Sequence, residues 1–270
     1  MKKSSRKSGH HSGKPGSRKS DSGKHYSGKF GARRPDQRKP RFSRELAIIY
    51  EDDAVVAVNK PPGLLAVPVE GSDAVSALSL LNAELKALRR RAYVVHRIDR
   101  FTSGVLLFAK SQTDREFLIR QFLAHSPVRE YLTVIRGHLP EKSGTLVHHF
   151  RREGQFQKLS TARDRKATRA EMKYSVERAL RDASLVRATL VTGLQNQIRV
   201  QFSAIEHPVV GDRKYHSQEA SESRIDRVAL HAARLEFRHP RSGEDVTIEC
   251  APPHDFLSLV HALLPQKGAR

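Results

Sequence analysis

One cysteine, Cys250, stands in a chain of 270 residues. A single thiol allows no internal disulfide and no thiolate-rich zinc site, which excludes the secreted disulfide frameworks and the zinc fingers. A reducing, cytoplasmic setting is the expectation. No window approaches the roughly 18 consecutive apolar residues that a membrane span requires, and the charged N-terminus has no apolar stretch behind it to form a secretory signal. The chain therefore reads as soluble. Acidic residues are scarce: 29 Asp and Glu stand against 49 Lys and Arg, a formal net charge of +20. That balance points to a polyanionic partner, RNA or an anionic membrane surface. No basic amphipathic helix supports the membrane alternative. The phosphate loop Gly-x-x-x-x-Gly-Lys, the turn Gly-x-Gly-x-x-Gly and the zinc helix His-Glu-x-x-His are all missing, so NTPase, dinucleotide and zinc-protease chemistry lose their sequence support. His148-His149 has no matching carboxylate or cysteine, reads as polar strand residues, and no metal site is predicted.

The positive charge is concentrated at one end. Residues 1–43 hold fourteen Lys and Arg against Asp21 and Asp36, a net +12. The same stretch has nine Ser, six Gly and three Pro but only five apolar residues, too few to offset the entropy of ordering a backbone. Ser-Gly-Lys recurs at 12–14, 22–24 and 27–29 with irregular spacing and no hydrophobic face to stack. The segment reads as a disordered basic arm, either an electrostatic tether for RNA or a solubilising extension.

From Arg44 to the C-terminus the composition is that of one globular domain. Tyr50-Glu51-Asp52-Asp53 reads as a polar turn before the buried strand Ala54–Val58, which Asn59-Lys60-Pro61-Pro62-Gly63 stops. Leu78, Leu81, Leu85 and Leu88 step by three or four and predict a helix between Ser76 and Arg90. Val105–Ala109 reads as a second buried strand, and Ser111 with Asp114 as the cap of a helix carrying Phe117, Leu118, Phe122 and Leu123. Glu130–Arg136 and Ser184–Thr192 read as further strands, and Gln197–Ile205 as a short helix. Strands and helices mix without strict alternation, which predicts an α+β fold with a mixed, largely antiparallel sheet and flanking helices.

The informative segment is Val94-Val95-His96-Arg97-Ile98-Asp99-Arg100-Phe101-Thr102-Ser103-Gly104. It sets a carboxylate between two arginines on a turn that leads into a buried strand. On residue types alone it reads more readily as a capping Asp with salt-bridged arginines than as a reactive carboxylate.

This stretch resembles the His-Arg-Leu-Asp-x-x-Thr-Ser-Gly motif of the RluA-type pseudouridine synthases, with Ile98 in the Leu position. Five further stretches, in the family's order from about residue 46 to 257, carry the same resemblance. Tyr50 to Gly63 is similar to the family's first strand and Asn-Lys-Pro-x-Gly turn, and Arg129-Glu130-Tyr131-Leu132 to its tyrosine motif. Thr192-Gly193-Leu194-Gln195-Asn196-Gln197-Ile198-Arg199-Val200 is similar to Thr-Gly-Arg-x-His-Gln-Ile-Arg-Val. His207 to Asp212 and Leu230 to Pro240 complete the pattern. Leu194 and Asn196 depart from the family's Arg and His, so the resemblance leaves one cation and one imidazole missing near the cleft.

The resemblance implies a pseudouridine-synthase fold with a central RNA-binding cleft, and an enzyme that isomerises uridine in ribosomal or transfer RNA. Asp99, Tyr131 and Arg199 are implied as catalytic: Asp99 as nucleophile at C1′ or base at C2′, Arg199 as its ion-pair partner, Tyr131 as an aromatic face and hydroxyl at the uracil. Arg199 could otherwise be a surface phosphate contact, and Tyr131 a core tyrosine. His96, Arg97, Thr102, Asn59 and Lys60 are implied as substrate-binding residues, with Arg97 filling the gap that a flipped uridine leaves in the stack. The reaction is redox-neutral and needs no energy input, so no cofactor is expected, and a monomer suffices. The alternative is an RNA-binding or ribosome-assembly factor that has lost catalysis on the same fold.

Overall fold

The computed structural model describes residues 45–154, 156–215 and 224–265. The basic arm of residues 1–43 lies outside the described residues. Eleven strands join in one sheet: Ala47–Glu51 (β1), Val55–Lys60 (β2), Tyr93–Val94 (β3), Ser103–Ala109 (β4), Val128–Arg136 (β5), Ser143–Glu153 (β6), Phe156–Ser160 (β7), Thr168–Ala179 (β8), Ala183–Leu190 (β9), Leu230–Arg238 (β10) and Asp245–Glu249 (β11). The helices are Ala77–Lys86 (α1), Gln112–Leu123 (α2), Gln197–Ala204 (α3) and His254–Ala262 (α4). The main path runs β1-β2-β4-β10-β5-β9-β8-β6-β7, with β11 on β10 and β3 on β4. Every pairing is antiparallel but one, the parallel contact of β4 with β10, where Ser103 faces His231 and Gly104 faces Ala232. The mixed, largely antiparallel sheet with flanking helices is the α+β fold that the composition of elements predicts.

Alternation along the strands decides which helix covers which face. Val56, Val58, Leu106 and Phe108 pack with Leu81 and Leu85 of α1. Their neighbours Val55, Ala57, Val105 and Leu107 turn the other way onto Leu118 of α2. β4 is consequently buried at all seven positions, as a central strand covered on both faces must be. In the other half of the sheet, Val134, Val186 and Met172 pack with Ile198 and Phe202 of α3 and Phe256 and Leu259 of α4. Tyr131 touches the cores of both halves.

Two local expectations are corrected. Tyr50 and Glu51 belong to β1, and the turn is made instead by Asp52, whose Oδ1 accepts from the amides of Ala54 and Val55 at 2.7 and 2.8 Å. Leu88 is 64% exposed, because α1 ends at Lys86 with Arg89 in the left-handed region (φ 54°). Ser111 does cap α2, accepting from the Asp114 amide at 3.0 Å. Leu123 at the far end of that helix is 74% exposed and faces the cleft described next.

Candidate active site

Asp99 lies on the loop between β3 and β4, and two separate parts of the chain, residues 60–63 and Arg227, fasten that loop by its carbonyls. The Lys60 ammonium donates to the carbonyls of Pro61, Leu64 and Arg100 at 2.9, 2.9 and 3.0 Å. The Gly63 amide also donates to the Arg100 carbonyl at 2.8 Å, and Arg100 Nε returns a bond to the Gly63 carbonyl at 2.9 Å. Arg227 Nη1 reaches the Phe101 carbonyl at 3.4 Å. Within the loop the Thr102 amide donates to the Asp99 carbonyl at 3.1 Å, closing a turn. The Ser-Gly step that follows is set by close approach. Gly104 has φ 109°, and a Cβ there would fall on the Ala232 carbonyl oxygen, so only glycine lets β10 lie alongside β4.

Lys60, implied as a substrate-binding residue, has its ammonium engaged within the protein. It is fully buried, and its ammonium ties the Arg100 carbonyl of the Asp99 loop to the carbonyls of Pro61 and Leu64, which makes it a positioning residue. Burial and the neighbouring Arg227 and Arg100 charges push its pKa down to about 7, while the three carbonyl acceptors favour the ammonium form. Asn59, the residue before it, pairs with Ala47 and Val105 inside the sheet. Neither lines the cleft.

The cleft has a volume of about 540 Å³ and is lined by Asp99 and Tyr131 together with His96, Arg97 and Thr102. Tyr131 sits on β5 between Ala232 of β10 and Ala188 of β9, two small neighbours beside a large ring. Burial pushes its phenol up to about 12, with the Asp99 charge adding to the rise and Arg129 opposing it, so at neutral pH the hydroxyl keeps its proton. His96 stacks on Phe122 of α2 at 4.6 Å with planes 12° apart, giving the cleft a flat aromatic wall. Its Nε2 accepts from the Leu107 amide at 3.0 Å, which assigns the proton to Nδ1. Burial, with the Arg129 charge, pushes its pKa down to about 3. His96 is thus a neutral ring tied to β4. Arg97 is exposed in the cleft lining, and among the described residues no hydrogen bond or ion pair holds its guanidinium. Thr102 is 1% exposed, and among the described residues its Oγ1 has no hydrogen-bond partner.

Arg199 of α3 stands behind this lining. Its Nη1 is 3.5 Å from Asp99 Oδ2, so the pair implied by the resemblance is present, as the longer of two ion pairs. The shorter is with Asp212, which takes Arg199 Nε and Nη2 bidentately at 2.7 Å each. Burial works against both charges, yet the mutual bonds win: the Arg199 pKa is raised and the Asp212 pKa lowered. Asp212 Oδ1 also accepts from the Lys214 and Tyr215 amides at 2.8 and 3.1 Å. A bidentate, fully engaged carboxylate of this kind fixes a guanidinium plane. Asp212 is a residue that reading for reactive groups passes over. Its signal is the preceding Gly211, held at φ 76° where a Cβ would strike the Arg227 carbonyl.

The two departures at Leu194 and Asn196 are accommodated. Asn196 adopts φ 55° at the N-cap of α3, a left-handed conformation that asparagine tolerates better than most residues. Its Oδ1 accepts from Arg199 Nη1 at 2.7 Å, so it aims the guanidinium. Leu194 packs against the small core of Phe150, Ala170 and Val200. Gln197 braces the loop before α3, with Oε1 accepting from Thr192 Oγ1 and the Leu194 amide at 2.8 and 3.0 Å.

Residues 54–204 match the family model for RNA pseudouridylate synthase. The chain is 34% identical over 232 residues to a ribosomal large subunit pseudouridine synthase D of Zymomonas mobilis, covering 81% of this chain and 73% of that protein. It is 31% identical over 220 residues to a tRNA pseudouridine synthase C of Haemophilus ducreyi, covering 76% of this chain and 90% of that one. The fold matches the solved structure of human RNA pseudouridylate synthase domain containing 4 with a TM-score of 0.68 at 22% identity, over 80% of this chain and 92% of that one.

Proposed function

Because the chain belongs to the RluA-type RNA pseudouridine synthases, and so isomerises uridine in RNA, we propose that Asp99 carries the sugar chemistry, with Tyr131 and Arg199 as its partners. The observation that supports this is the meeting of three groups from three distant segments. Asp99 and Tyr131 line one cleft, and Arg199 Nη1 lies 3.5 Å behind the Asp99 carboxylate.

The target uridine leaves the base stack, since its C1′ and C5 cannot be reached inside it, and Arg97 fills the space it vacates. In the cleft the uracil lies against Tyr131, whose protonated hydroxyl sits near C5. The N1–C1′ bond breaks and its electron pair leaves with the base. Asp99 meets the deficit at C1′ by forming a C–O bond, or takes the proton from C2′. The base turns and C5 joins C1′ as the Asp99 C–O bond breaks, or as Asp99 returns the proton to C2′; C5 then loses its proton and N1 gains one. Nothing is oxidised or reduced, so these residues suffice without a cofactor, and one chain supplies all of them, so a monomer suffices. Arg199 keeps the carboxylate aimed while Asp212 and Asn196 keep Arg199 aimed.

Ribosomal or transfer RNA in the cytoplasm is the substrate class that fits the relatives' names, and the basic arm adds affinity through phosphate contacts. The test is Asp99→Asn in the full chain. Isomerisation, read as a carbodiimide adduct at the target uridine, falls below detection, while filter binding of the same RNA changes by less than about threefold because phosphate contacts carry most affinity. Measurable turnover by this variant would remove Asp99 from its role. Mapping pseudouridine in total RNA with and without the gene identifies the uridine.

A further inference from the structure

Arg129 is a buried cation that the protein leaves without a counter-charge. It is 8% exposed, and among the described residues no carboxylate pairs with it. Its Nη2 donates to the Val191 carbonyl at 3.3 Å, and its guanidinium carbon lies 5.9 Å from the Phe122 ring centre. Its Nε has no hydrogen-bond partner among the described residues. Burying a guanidinium on these terms is costly unless something else completes it. Other arginines are completed: Arg199 has Asp212 and buried Arg227 has Asp255. Among the described residues two buried side-chain polar atoms lack a hydrogen-bond partner, Arg129 Nε and Thr102 Oγ1, and both residues line the Asp99 cleft.

The surroundings identify what completes Arg129. On β5, residues two apart share a face, so Arg129 and Tyr131 both line the cleft, while Glu130 between them turns to Arg187 and Arg234 on the other face. Beside Arg129 the lining is aromatic and aliphatic, with Phe122, Ile119, Leu123 and the His96 ring. That is a slot for a flat base and a poor place for a hydrated phosphodiester. Gly193 leaves room for the guanidinium, because a Cβ there would overlap Arg129 Nη1.

We propose that Arg129 binds the uracil itself, donating to a ring carbonyl oxygen (O2 or O4) and stabilising the negative charge that the base acquires on leaving the sugar. This inference rests on the proposed site. When the N1–C1′ pair departs with the base, the charge spreads from N1 onto O2 and O4. C1′ is satisfied by Asp99 as described, and the charge is discharged when C5 rejoins C1′. A preorganised cation in a water-poor slot acts where charge develops and needs no rearrangement at that moment.

The experiment uses the full chain, with single-turnover rates at saturating RNA and affinity measured against salt. Arg129→Met lowers the saturating rate by about 100-fold or more, the usual effect of losing one such donor, with affinity and salt slope little changed. Arg129→Lys recovers part of the rate. The sharper arm replaces the target base by 2-thiouracil or 4-thiouracil, whose sulfur accepts hydrogen bonds poorly. One thio substitution slows the unmutated protein, and that slowing disappears in Arg129→Met. Three results would overturn the proposal: no thio effect on the unmutated protein, thio and Met effects that simply multiply, or an unchanged saturating rate with a salt slope lowered by about 0.7, which marks a phosphate contact. An active Asp99→Asn would instead overturn the site on which the proposal rests.

Discussion

Around Arg199 every arm of the guanidinium is engaged: two nitrogens on Asp212, and Nη1 shared between Asn196 and Asp99. Around Arg129 one nitrogen meets a carbonyl, one has nothing, and the plane faces a phenylalanine. Arg129 is 8% exposed and the Arg199 side chain 11%, so exposure does not separate them. The difference is the state for which each is complete. The Arg199 region is finished in the free protein and holds geometry. The Arg129 region, with exposed Arg97 nearby, is unfinished until something anionic or carbonyl-bearing enters.

The strongest way to break that contrast is to unfinish Arg199. Asp212→Asn leaves a buried guanidinium without its carboxylate, a change that costs about 3 to 5 kcal/mol when a buried ion pair loses one member. Arg199 then turns its free nitrogens to Asp99, its other carboxylate partner among the described residues, and misaims it. The expected result is a lower melting temperature together with a saturating single-turnover rate reduced by about 100-fold, while RNA affinity holds. A variant that melts lower but turns over normally would confine Asp212 to stability and show that Asn196 alone aims Arg199.

Arg97 sharpens the other side. With no protein partner to release among the described residues, Arg97→Ala should leave the folding stability, measured by thermal melts, within about 0.5 kcal/mol of the parent, as a surface substitution does. Its cost appears in turnover and depends on the RNA. On a structured RNA, where flipping requires a few kcal/mol of unstacking, the rate falls by about 10-fold or more; on a single-stranded oligonucleotide it changes little. Equal slowing on both substrates would return Arg97 to a plain phosphate contact.

What the sequence revealed follows the same division. The Asp99 loop was legible because its chemistry lies in consecutive residue types, and β2, β4, α1 and α2 because their apolar periods are local. β6 and β8 were hard to read: they are 11 and 12 residues long, mostly polar, and become strands by pairing with each other and with β7 and β9. The burial of Lys60 was not legible, because Asn-Lys-Pro-Pro-Gly reads only as the end of a strand. One of the three carbonyls that bury it, that of Arg100, lies 40 residues away. Asp212 is hidden in the same way, its importance residing in a partner 13 residues back on another element. Asn196 departs from the family's histidine, yet its oxygen holds the catalytic-side arginine, a role that residue identity does not announce.

The smallest expected effect concerns pH, and it separates the two regions by their histidines. His96 lies in the cleft wall, where burial and the Arg129 charge push its pKa down to about 3. His231 lies under the β4–β10 contact, bonded to Ser103 Oγ at 3.0 Å and the Cys250 carbonyl at 2.8 Å, and burial pushes it down to about 4. Both are neutral in the folded protein and take up a proton on unfolding below the unfolded value of about 6.5. The unfolded state therefore binds more protons as pH falls from about 6.5 toward the folded values, and stability is lost across that window, by up to about 1.4 kcal/mol per pH unit for each histidine. Above about pH 7 the two contribute no slope. Thermal melts of the full chain from pH 7.5 to 4.5 measure the combined loss. His231→Gln, which keeps a donor and an acceptor but cannot titrate there, should remove about half of the slope. Arg129→Met should remove less, since it relieves only the charge contribution at His96 and leaves its burial. If Arg129→Met flattened the profile as much as His231→Gln, the Arg129 charge would dominate the His96 shift, and the unpaired cation would govern the acid stability of the whole cleft.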